Sequence, residues 1–463
     1  MPMQYISTRG QTEPMSFTEA GLTGLAPDGG LLVPERFPDV SAELGRWATL
    51  AYPELAYEIF RIFTDIPAAD LRGLVNRAYS SFRHPEHAPS VPVGNRFVLE
   101  LFHGPTLAFK DMAMQFLAQF FEYALAQRDE YLNILGSTSG DTGSAAIHGV
   151  RGKSRIRIFM MHPEGRTSPI QALQMTSVLD DNVYNLAVDG TFDDCQRIMK
   201  TLFADVPFKQ KYALGAVNSV NWVRVMAQIV YYFYAGLRVL RETGDSKIQF
   251  SVPTGNFGNI LAGYYAARMG LPVHRLILGT NENDILARFF QTGVYRTASV
   301  SHTVSPSMDI QVASNFERYL HALTDGDGER VREMMRVFSE KGELDLSACF
   351  DHPAAALFAA DRADTAETMS AIQKTHREQH YILDPHTAVG VAVGDRLRDP
   401  SVPLVCLATA HPAKFTAALQ EAIGVTPHHP VLDALADVET RCDRLPADVE
   451  AVREYLRARL DCA

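Results

Sequence analysis

The sequence has few cysteines and no excess of positive charge, and each absence excludes a class of protein. Five cysteines in 463 residues, with no C-x-x-C pair, predict reduced thiols rather than a disulfide framework or a structural zinc site. They are Cys195, Cys349, Cys406, Cys442 and Cys462. The formal net charge of −11 argues against nucleic acid or an anionic membrane as a partner, but it does not exclude a small anionic substrate in one cleft.

Long apolar runs are also missing. The longest, near residues 229–237, is far too short to span a membrane. The first five residues do not combine a basic segment with an apolar run, so we expect no secretory signal. Together with the cysteine usage, these features predict a cytoplasmic protein. A content of 46% hydrophobic and 21% charged residues is typical of a globular chain, and the length predicts two or three lobes.

From about residue 131 the chain alternates between apolar strands, polar loops and amphipathic helices. Strands are predicted at 131–135, 155–161, 183–188, 247–252 and 402–407, and helices at 144–150, 221–242, 260–269 and 414–423. This alternation favours parallel sheets covered by helices. We therefore predict an α/β fold made of an N-terminal lobe (1–100), a smaller α/β lobe (101–215), a larger α/β lobe (216–430) and a C-terminal helical segment (431–463).

The loop at residues 253–259 (PTGNFGN) lies between a predicted strand and a predicted helix. Its glycines allow backbone N–H groups to turn inward, and the helix N-terminus adds partial positive charge, so the loop is suited to a phosphate. A plain tight turn is the alternative. The loop lacks the P-loop lysine and is not G-x-G-x-x-G, which excludes both nucleotide-binding fingerprints.

A second loop, residues 136–143 (GSTSGDTG), is rich in small hydroxyl side chains. Backbone donors combined with hydroxyls suit a carboxylate or phosphate oxygen, whereas a hydroxyl-rich helix cap is the alternative. Loops after parallel strands form the binding sites of open α/β sheets, which is where both loops are predicted to lie.

The third motif is a lysine, Lys110, among apolar and small residues in the segment 101–111 (LFHGPTLAFKD). Loss of solvation would lower the pKa of its amine and make it competent for Schiff-base chemistry, although a lysine that extends to solvent is the alternative. A phosphate loop, a carboxylate loop and a buried amine together predict a pyridoxal-5′-phosphate (PLP) enzyme that acts on an amino acid.

In this order the motifs resemble the threonine synthases, which are PLP enzymes of fold-type II. The resemblance is carried by residues 103–111, 137–143 and 255–259, and it extends to 7–10, 24–30 and 408–415. It runs from about residue 5 to about residue 425. It implies two open α/β lobes with largely parallel, twisted sheets and an additional N-terminal lobe.

The resemblance also implies a role for each matched residue. Lys110 would form the Schiff base with PLP and act as the catalytic base. The PLP phosphate would be bound by Gly255, Asn256, Phe257, Gly258 and Asn259, and Thr409 would meet the pyridine nitrogen. The substrate phosphate would be bound by Asn218, Ser219 and Arg224. The substrate carboxylate would be bound by Ser137, Thr138, Ser139, Asp141 and Thr142.

One matched residue departs from the wider pattern. Where many fold-type II enzymes have an asparagine beside the 3′-oxygen of PLP, this chain has Asp141. A carboxylate facing that oxygen would need a proton or another orientation.

The activity implied is that of a carbon–oxygen lyase converting O-phospho-L-homoserine and water into L-threonine and phosphate, the last step of threonine biosynthesis. A threonine or serine dehydratase would share the lysine and the glycine loop but would not need a second phosphate site, so Arg224 with Ser219 favours the synthase. A phospho-lyase that stops at 2-oxobutyrate stays open as an alternative.

Two further classes are less favoured. A PLP-free binding protein on the same fold is opposed by the intact motif around Lys110. His376 and His380 have i, i+4 spacing but no H-E-x-x-H pattern, so we predict no metal site. The sequence leaves the oligomeric state open between monomer and homodimer.

Overall fold

The structure, a computed structural model, describes residues 2–461, and Met1, Cys462 and Ala463 lie outside the described residues. The chain divides into two units. The first contains the residues up to Ala113 and the segment Ser219–Pro427, and the second contains Met114–Asn218 and the residues from His428 onward. The division into four segments that the sequence suggested stays a prediction.

A six-stranded sheet forms the centre of the first unit. Its strands, in spatial order, are Phe358–Arg362, Val273–Thr280, Ile248–Pro253, Leu404–Ala408, Arg96–Glu100 and Ser90–Val93. All neighbours are parallel except the last pair. The strands predicted at 247–252 and 402–407 are confirmed, and they lie side by side. Because neighbouring parallel strands end at the same edge, the loops that follow residues 100, 253 and 408 leave the sheet together.

The helices of the first unit cover and extend this sheet. The longest, Trp222–Thr243, confirms the helix predicted at 221–242. Asn221 caps its start by accepting a hydrogen bond from the backbone N–H of Val223, and Gly244 ends it in the left-handed region at φ 77°. The other helices are Phe17–Thr23, Leu44–Trp47, Tyr52–Phe63, Ala68–Tyr79, Gly258–Arg268, Ile285–Thr292, Phe316–Leu323, Gly328–Lys341, Pro353–Ala356, Thr365–Gln379, Pro385–Leu397 and Thr416–Ile423.

Two strand pairs and several short turns complete this unit. Tyr5–Ser7 pairs with Leu32–Pro34 and Val294–Arg296 with Glu343–Asp345, both antiparallel. Short 3₁₀ turns occur at Ser41–Glu43, Pro306–Met308, Ser347–Cys349 and Pro412–Lys414. The helix predicted to begin at Lys414 therefore begins two residues later, because Phe415 (φ −127°, ψ 42°) lies outside the helical region.

The second unit has its own sheet, which is entirely parallel. Its five strands are Asp443–Pro446, Val183–Asp189, Ile156–Pro163, Leu132–Ser137 and Leu214–Gly215, in that order. The three strands predicted between residues 131 and 188 are thereby confirmed, with small shifts at their ends. The helices are Asp141–Val150, Pro169–Thr176, Phe192–Ala204, Val206–Lys211, Pro430–Asp433 and Val449–Leu460. The helix Asp111–Arg128 begins in the first unit and continues into the second.

The helix predicted at 144–150 begins three residues earlier, at Asp141. Gly140 precedes it at φ 150°, a conformation that side chains rarely adopt, and this residue lets the chain turn directly into the helix. Between residues 2 and 461, every helix is too short or too polar to cross a membrane.

Candidate active site

Lys110 immediately precedes the helix Asp111–Arg128, at the end of a loop held by buried hydrogen bonds. The carboxylate of Asp111, which is fully buried, accepts from the backbone N–H of Thr106 (2.7 Å) and from its hydroxyl (2.9 Å). The carbonyl of Thr106 in turn accepts from Nζ of Lys414 at 2.8 Å. A side chain at Gly104 would meet Cβ of Asp111 at 2.4 Å, so this close approach requires glycine. The backbone that presents Lys110 is thus fixed from several sides.

The loop that carries Thr409 is hydrogen-bonded to the lysine loop. The N–H of Phe109 donates to the carbonyl of Thr409 at 2.8 Å, and the N–H of His411 donates to the carbonyl of Leu107 at 3.0 Å. Thr409 itself is buried. The structure therefore brings Lys110 and Thr409, which are 299 positions apart in the chain, to neighbouring segments of one unit.

The predicted phosphate loop forms a narrow turn at the carboxyl end of the strand Ile248–Pro253. A side chain at Gly255 would lie 2.9 Å from the carbonyl oxygen of Ser307, so the loop has no room for one. Phe257 takes a left-handed conformation (φ 63°) and buries its ring, and the helix Gly258–Arg268 begins directly after it. The first N–H groups of a helix have no partner within it, which gives this turn donors for an anion.

Asn259 adds a side-chain donor whose direction is fixed. Its Oδ1 accepts from the hydroxyls of Tyr231 (2.6 Å) and Tyr232 (2.9 Å). Its Nδ2 is buried, and no partner for it exists among the described residues. A buried donor without an acceptor is costly, and a phosphate oxygen would remove that cost. The glycine turn and the oriented amide fit a bound phosphate group, as PLP would supply.

Arg224 lies in the first turn of the helix Trp222–Thr243 and is 6% exposed. Burial lowers the pKa of its guanidinium to about 10. Within residues 2–461, Nε and Nη1 have no hydrogen-bond partner, and no carboxylate forms an ion pair with this side chain. A buried cation that lacks a partner is expensive unless an anion binds to it. Arg224 is therefore suited to an anionic ligand.

Ser219 connects this region to the predicted phosphate loop. Its hydroxyl is 2.7 Å from that of Ser314, which donates to Oδ1 of Asn256 at 3.2 Å. The side chain of Asn315 links the same two segments, since its Nδ2 donates to the carbonyls of Ser219 (3.1 Å) and Asn256 (3.2 Å). Asn218, which directly precedes Ser219, belongs to the second unit and has a buried Oδ1 for which the described residues offer no partner.

The residues that hold these segments in place were not predicted from the sequence. Arg318, fully buried, donates to the carbonyls of Leu32 and Val220 and to Oδ1 of Asn315. Its neighbour Glu317 accepts from Arg9, which lies in the N-terminal segment 7–10. The polar run SNFER at 314–318, which opens an amphipathic helix, was the available signal.

In the hydroxyl-rich loop of the second unit, residues 136–143, some side chains form hydrogen bonds within the protein and others stay accessible to a ligand. The hydroxyl of Thr138 accepts from the N–H groups of Gly140 (3.0 Å) and Gly143 (2.9 Å), so it caps the helix Asp141–Val150. Oδ1 of the buried Asp141 accepts from Nε2 of Gln171 at 2.8 Å.

Three other predicted residues belong to the same loop. The Ser137 hydroxyl accepts from Nε2 of Gln196 at 2.6 Å. Ser139 is exposed and Thr142 is half-buried, so their hydroxyls are more accessible to a ligand than that of Thr138.

Comparison with known proteins gives three family matches. "Pyridoxal-phosphate dependent enzyme" matches residues 93–364, "Threonine synthase N terminus" matches 4–79, and "Threonine synthase, C-terminal" matches 387–456. The chain is 46% identical to the threonine synthase of Pseudomonas aeruginosa, with 98% of each chain covered.

Solved structures give the same result. The PLP-bound threonine synthase from Brucella melitensis is 44% identical, with a TM-score of 0.95 and 99% of each chain covered. The threonine synthase from yeast is 41% identical, again with a TM-score of 0.95 and 99% coverage of each chain.

Proposed function

The chain belongs to the threonine synthase family, and we propose which of its residues carry out the reaction. It has the fold-type II α/β architecture and is a PLP-dependent lyase. The reaction converts O-phospho-L-homoserine and water into L-threonine and phosphate, so the substrate is a small molecule with both a carboxylate and a phosphate.

PLP, when bound, supplies the electron sink that makes the Cα and Cβ protons of the substrate removable. We propose that Gly255, Asn256, Phe257, Gly258 and Asn259 hold its phosphate through backbone N–H groups and the Asn259 amide. The narrow turn at Gly255 and the partnerless Nδ2 of Asn259 support this assignment. Thr409 is proposed to meet the pyridine nitrogen with a neutral hydroxyl.

Lys110 is proposed as the catalytic base at both Cα and Cβ. Two matched segments contain an amine, and that of Lys414 donates to the carbonyl of Thr106, so Lys110 is the amine proposed as the base. Proton transfer requires a group held at a defined position. The buried hydrogen bonds of Asp111 and Thr106 hold the backbone next to this lysine. The same amine is proposed to anchor the cofactor before substrate arrives.

One observation carries the choice of substrate: the partnerless, buried guanidinium of Arg224. We propose that it binds the phosphate that leaves from Cγ, together with Ser219 and Asn218. A guanidinium can donate two parallel hydrogen bonds to a phosphate and balance its growing charge. A dehydratase acting on an unphosphorylated amino acid would have no use for this cation.

The substrate carboxylate is proposed to bind the loop that contains Ser137, Thr138, Ser139, Asp141 and Thr142. Because the Thr138 hydroxyl is used as a helix cap, we expect Ser139, Thr142 and the N-terminal amides of the helix Asp141–Val150 to provide most of the contacts. The Asp141 carboxylate, which accepts from Gln171, is proposed to order this loop rather than to bind the substrate.

A cytoplasmic location is part of the proposal. It is supported by the free thiols of four cysteines in the described part of the chain, Cys195, Cys349, Cys406 and Cys442.

Product analysis with O-phospho-L-homoserine tests the proposed function. The holoenzyme should release L-threonine and phosphate in equal amounts, with little 2-oxobutyrate. Lys110→Ala should lose turnover and the visible absorbance of the bound cofactor while keeping its fold by circular dichroism. If 2-oxobutyrate is the main product, or if Lys110→Ala keeps near-normal turnover, the proposal is wrong.

A further inference from the structure

Asp384 is a buried carboxylate, 1% exposed, at the start of the helix Pro385–Leu397. It accepts from the backbone N–H of His386 (2.9 Å) and from that of Thr387 (3.4 Å), which is what a helix cap requires. It also accepts from two side chains, the Thr387 hydroxyl and Nδ1 of His386 (3.1 Å). The second pair of contacts goes beyond capping.

The Thr387 hydroxyl connects this carboxylate to Thr409. A hydroxyl has a single proton, and here it is donated to Asp384, so only its lone pairs face Thr409. The N–H of Thr409 donates to that oxygen at 3.1 Å. Its carbonyl accepts from the N–H of Phe109, which directly precedes Lys110. Both polar groups of the Thr409 backbone are therefore fixed, the N–H by the Thr387 hydroxyl and the carbonyl by the lysine loop.

His386 extends the same network to the phosphate loop. The N–H of Ser307 donates to Nε2 of His386 at 3.1 Å, so the ring proton lies on Nδ1 and is donated to Asp384. The carbonyl of Ser307 is the group that a side chain at Gly255 would meet at 2.9 Å. One buried carboxylate thus orders the segments on two sides of the proposed cofactor site.

We propose that Asp384, acting through Thr387, fixes the position of Thr409 against the pyridine nitrogen of PLP. Asp384 and Thr387 are positioning residues, because neither is proposed to contact the cofactor: Thr387 acts through Thr409, and Asp384 acts through Thr387 and, on the phosphate-loop side, through His386. The inference rests on the proposed function, in which Thr409 meets that nitrogen. Loss of the Thr387 oxygen would leave the buried N–H of Thr409 without an acceptor and shift this peptide relative to Lys110.

The alternative is that Asp384 and Thr387 only cap the helix Pro385–Leu397. The chain offers a matched control, because Asp364 caps the neighbouring helix Thr365–Gln379 by accepting from the N–H of Glu367 at 2.8 Å. Asp364→Asn changes a helix cap in the same unit without touching the network at Thr409.

Thr387→Val and Thr387→Ser make the decisive pair, since valine keeps the shape and serine keeps the hydroxyl. The readouts are the visible absorption spectrum of the holoenzyme and the rate at which it loses PLP on dialysis. Thr387→Val should shift the absorbance band and lose PLP about tenfold faster, and Thr387→Ser should restore both. A Thr387→Val holoenzyme with the parent spectrum and the parent rate of loss would overturn the proposal.

Asp384→Asn should resemble Thr387→Val, because an amide Nδ2 cannot accept the proton of the Thr387 hydroxyl, which then loses the contact that orients its oxygen towards the N–H of Thr409. Asp364→Asn should match the parent in both readouts. Equal spectral changes in Asp384→Asn and Asp364→Asn would assign the effect to capping and overturn the proposal. Failure of the proposed function would be seen separately: the Lys110→Ala variant would keep the visible absorption band of the parent holoenzyme.

Discussion

Arg224 and Arg318 are two buried arginines of the same unit, and burial lowers the pKa of each to about 10. Their surroundings differ. Arg318 donates to the carbonyls of Leu32 and Val220 and to the side chain of Asn315, at distances between 2.6 and 3.1 Å. In Arg224, Nε and Nη1 have no partner among residues 2–461. Burial is common to both, so the proposed binding role of Arg224 rests on its unsatisfied donors.

The two arginines differ in role: Arg318 is structural, whereas Arg224 is proposed to bind a ligand. The hydrogen bonds of Arg318 offset its loss of hydration and tie the N-terminal segment to the helix Phe316–Leu323. Under the proposed function, the loss of hydration at Arg224 is offset when the substrate phosphate binds, and the folded protein bears that cost until then. We therefore expect substitutions at Arg318 to affect folding and substitutions at Arg224 to affect catalysis.

The largest effect is expected for Arg318→Ala. It would leave three buried acceptors without a donor, and we expect the free energy of unfolding to fall by about 3–5 kcal/mol. Urea denaturation of the holoenzyme measures this. Arg61→Ala is the control, since Arg61 is half exposed and forms a surface ion pair with Glu58, and it should cost less than about 1 kcal/mol. Equal losses in the two variants would remove the structural role of Arg318.

Arg224→Ala should have the next largest effect, on kcat/KM rather than on stability. Losing a charge-assisted contact to the leaving phosphate should cost about 2–4 kcal/mol of transition-state stabilisation, or roughly 30- to 1000-fold in kcat/KM. The free energy of unfolding should stay the same or rise, because an unpaired buried charge is removed. Steady-state kinetics and urea denaturation of one preparation separate the effect on kcat/KM from the effect on the free energy of unfolding. A variant that stays active but loses its PLP would identify Arg224 as a cofactor contact instead.

Arg224→Lys should recover part of the activity. The transition-state stabilisation calculated from its kcat/KM should stay about 1–2 kcal/mol below that of the parent. Lysine restores the charge but cannot donate the two parallel hydrogen bonds of the guanidinium fork. If Arg224→Lys is as inactive as Arg224→Ala, charge is not what this position supplies.

The smallest effect is expected for Glu317→Gln. Glu317 pairs with the partly exposed Arg9 and accepts from the hydroxyl of Thr8, and an amide keeps one of its acceptors. We expect the free energy of unfolding to fall by about 1 kcal/mol and kcat/KM to change little. A loss of activity that exceeds the loss of stability would show that the N-terminal segment contributes directly to the substrate site.

Most of the architecture could be predicted from the sequence, because the patterns that specify strands, loops and helix caps are local. Strand, glycine loop and helix alternate in the sequence as they do in both units. Asn221 begins the long helix and Gly244 ends it, each through its own capping chemistry. The start of the helix at Asp141 was misplaced, because polar residues in a first turn look like loop residues until the Thr138 cap is seen.

What the sequence could not predict depends on contacts between distant segments. Nothing near Arg224 in the chain indicates that its guanidinium lacks a partner, since that follows from the packing around the helix Trp222–Thr243. The same is true of Asp384, whose proximity to Thr409 is set by two neighbouring segments of the folded unit. Motifs identified candidate residues, whereas tertiary packing determined which of their hydrogen bonds are satisfied.

Binding of inorganic phosphate to the holoenzyme, measured by calorimetry in a phosphate-free buffer, tests directly whether Arg224 binds the substrate phosphate. The parent and Arg224→Ala are compared with equal PLP content, verified from their absorbance. We expect the parent to bind phosphate and the variant to bind it at least about thirtyfold more weakly, which corresponds to the loss of about 2 kcal/mol expected for one charge-assisted contact. Equal affinity in the two proteins would contradict the assignment of Arg224 to the substrate phosphate.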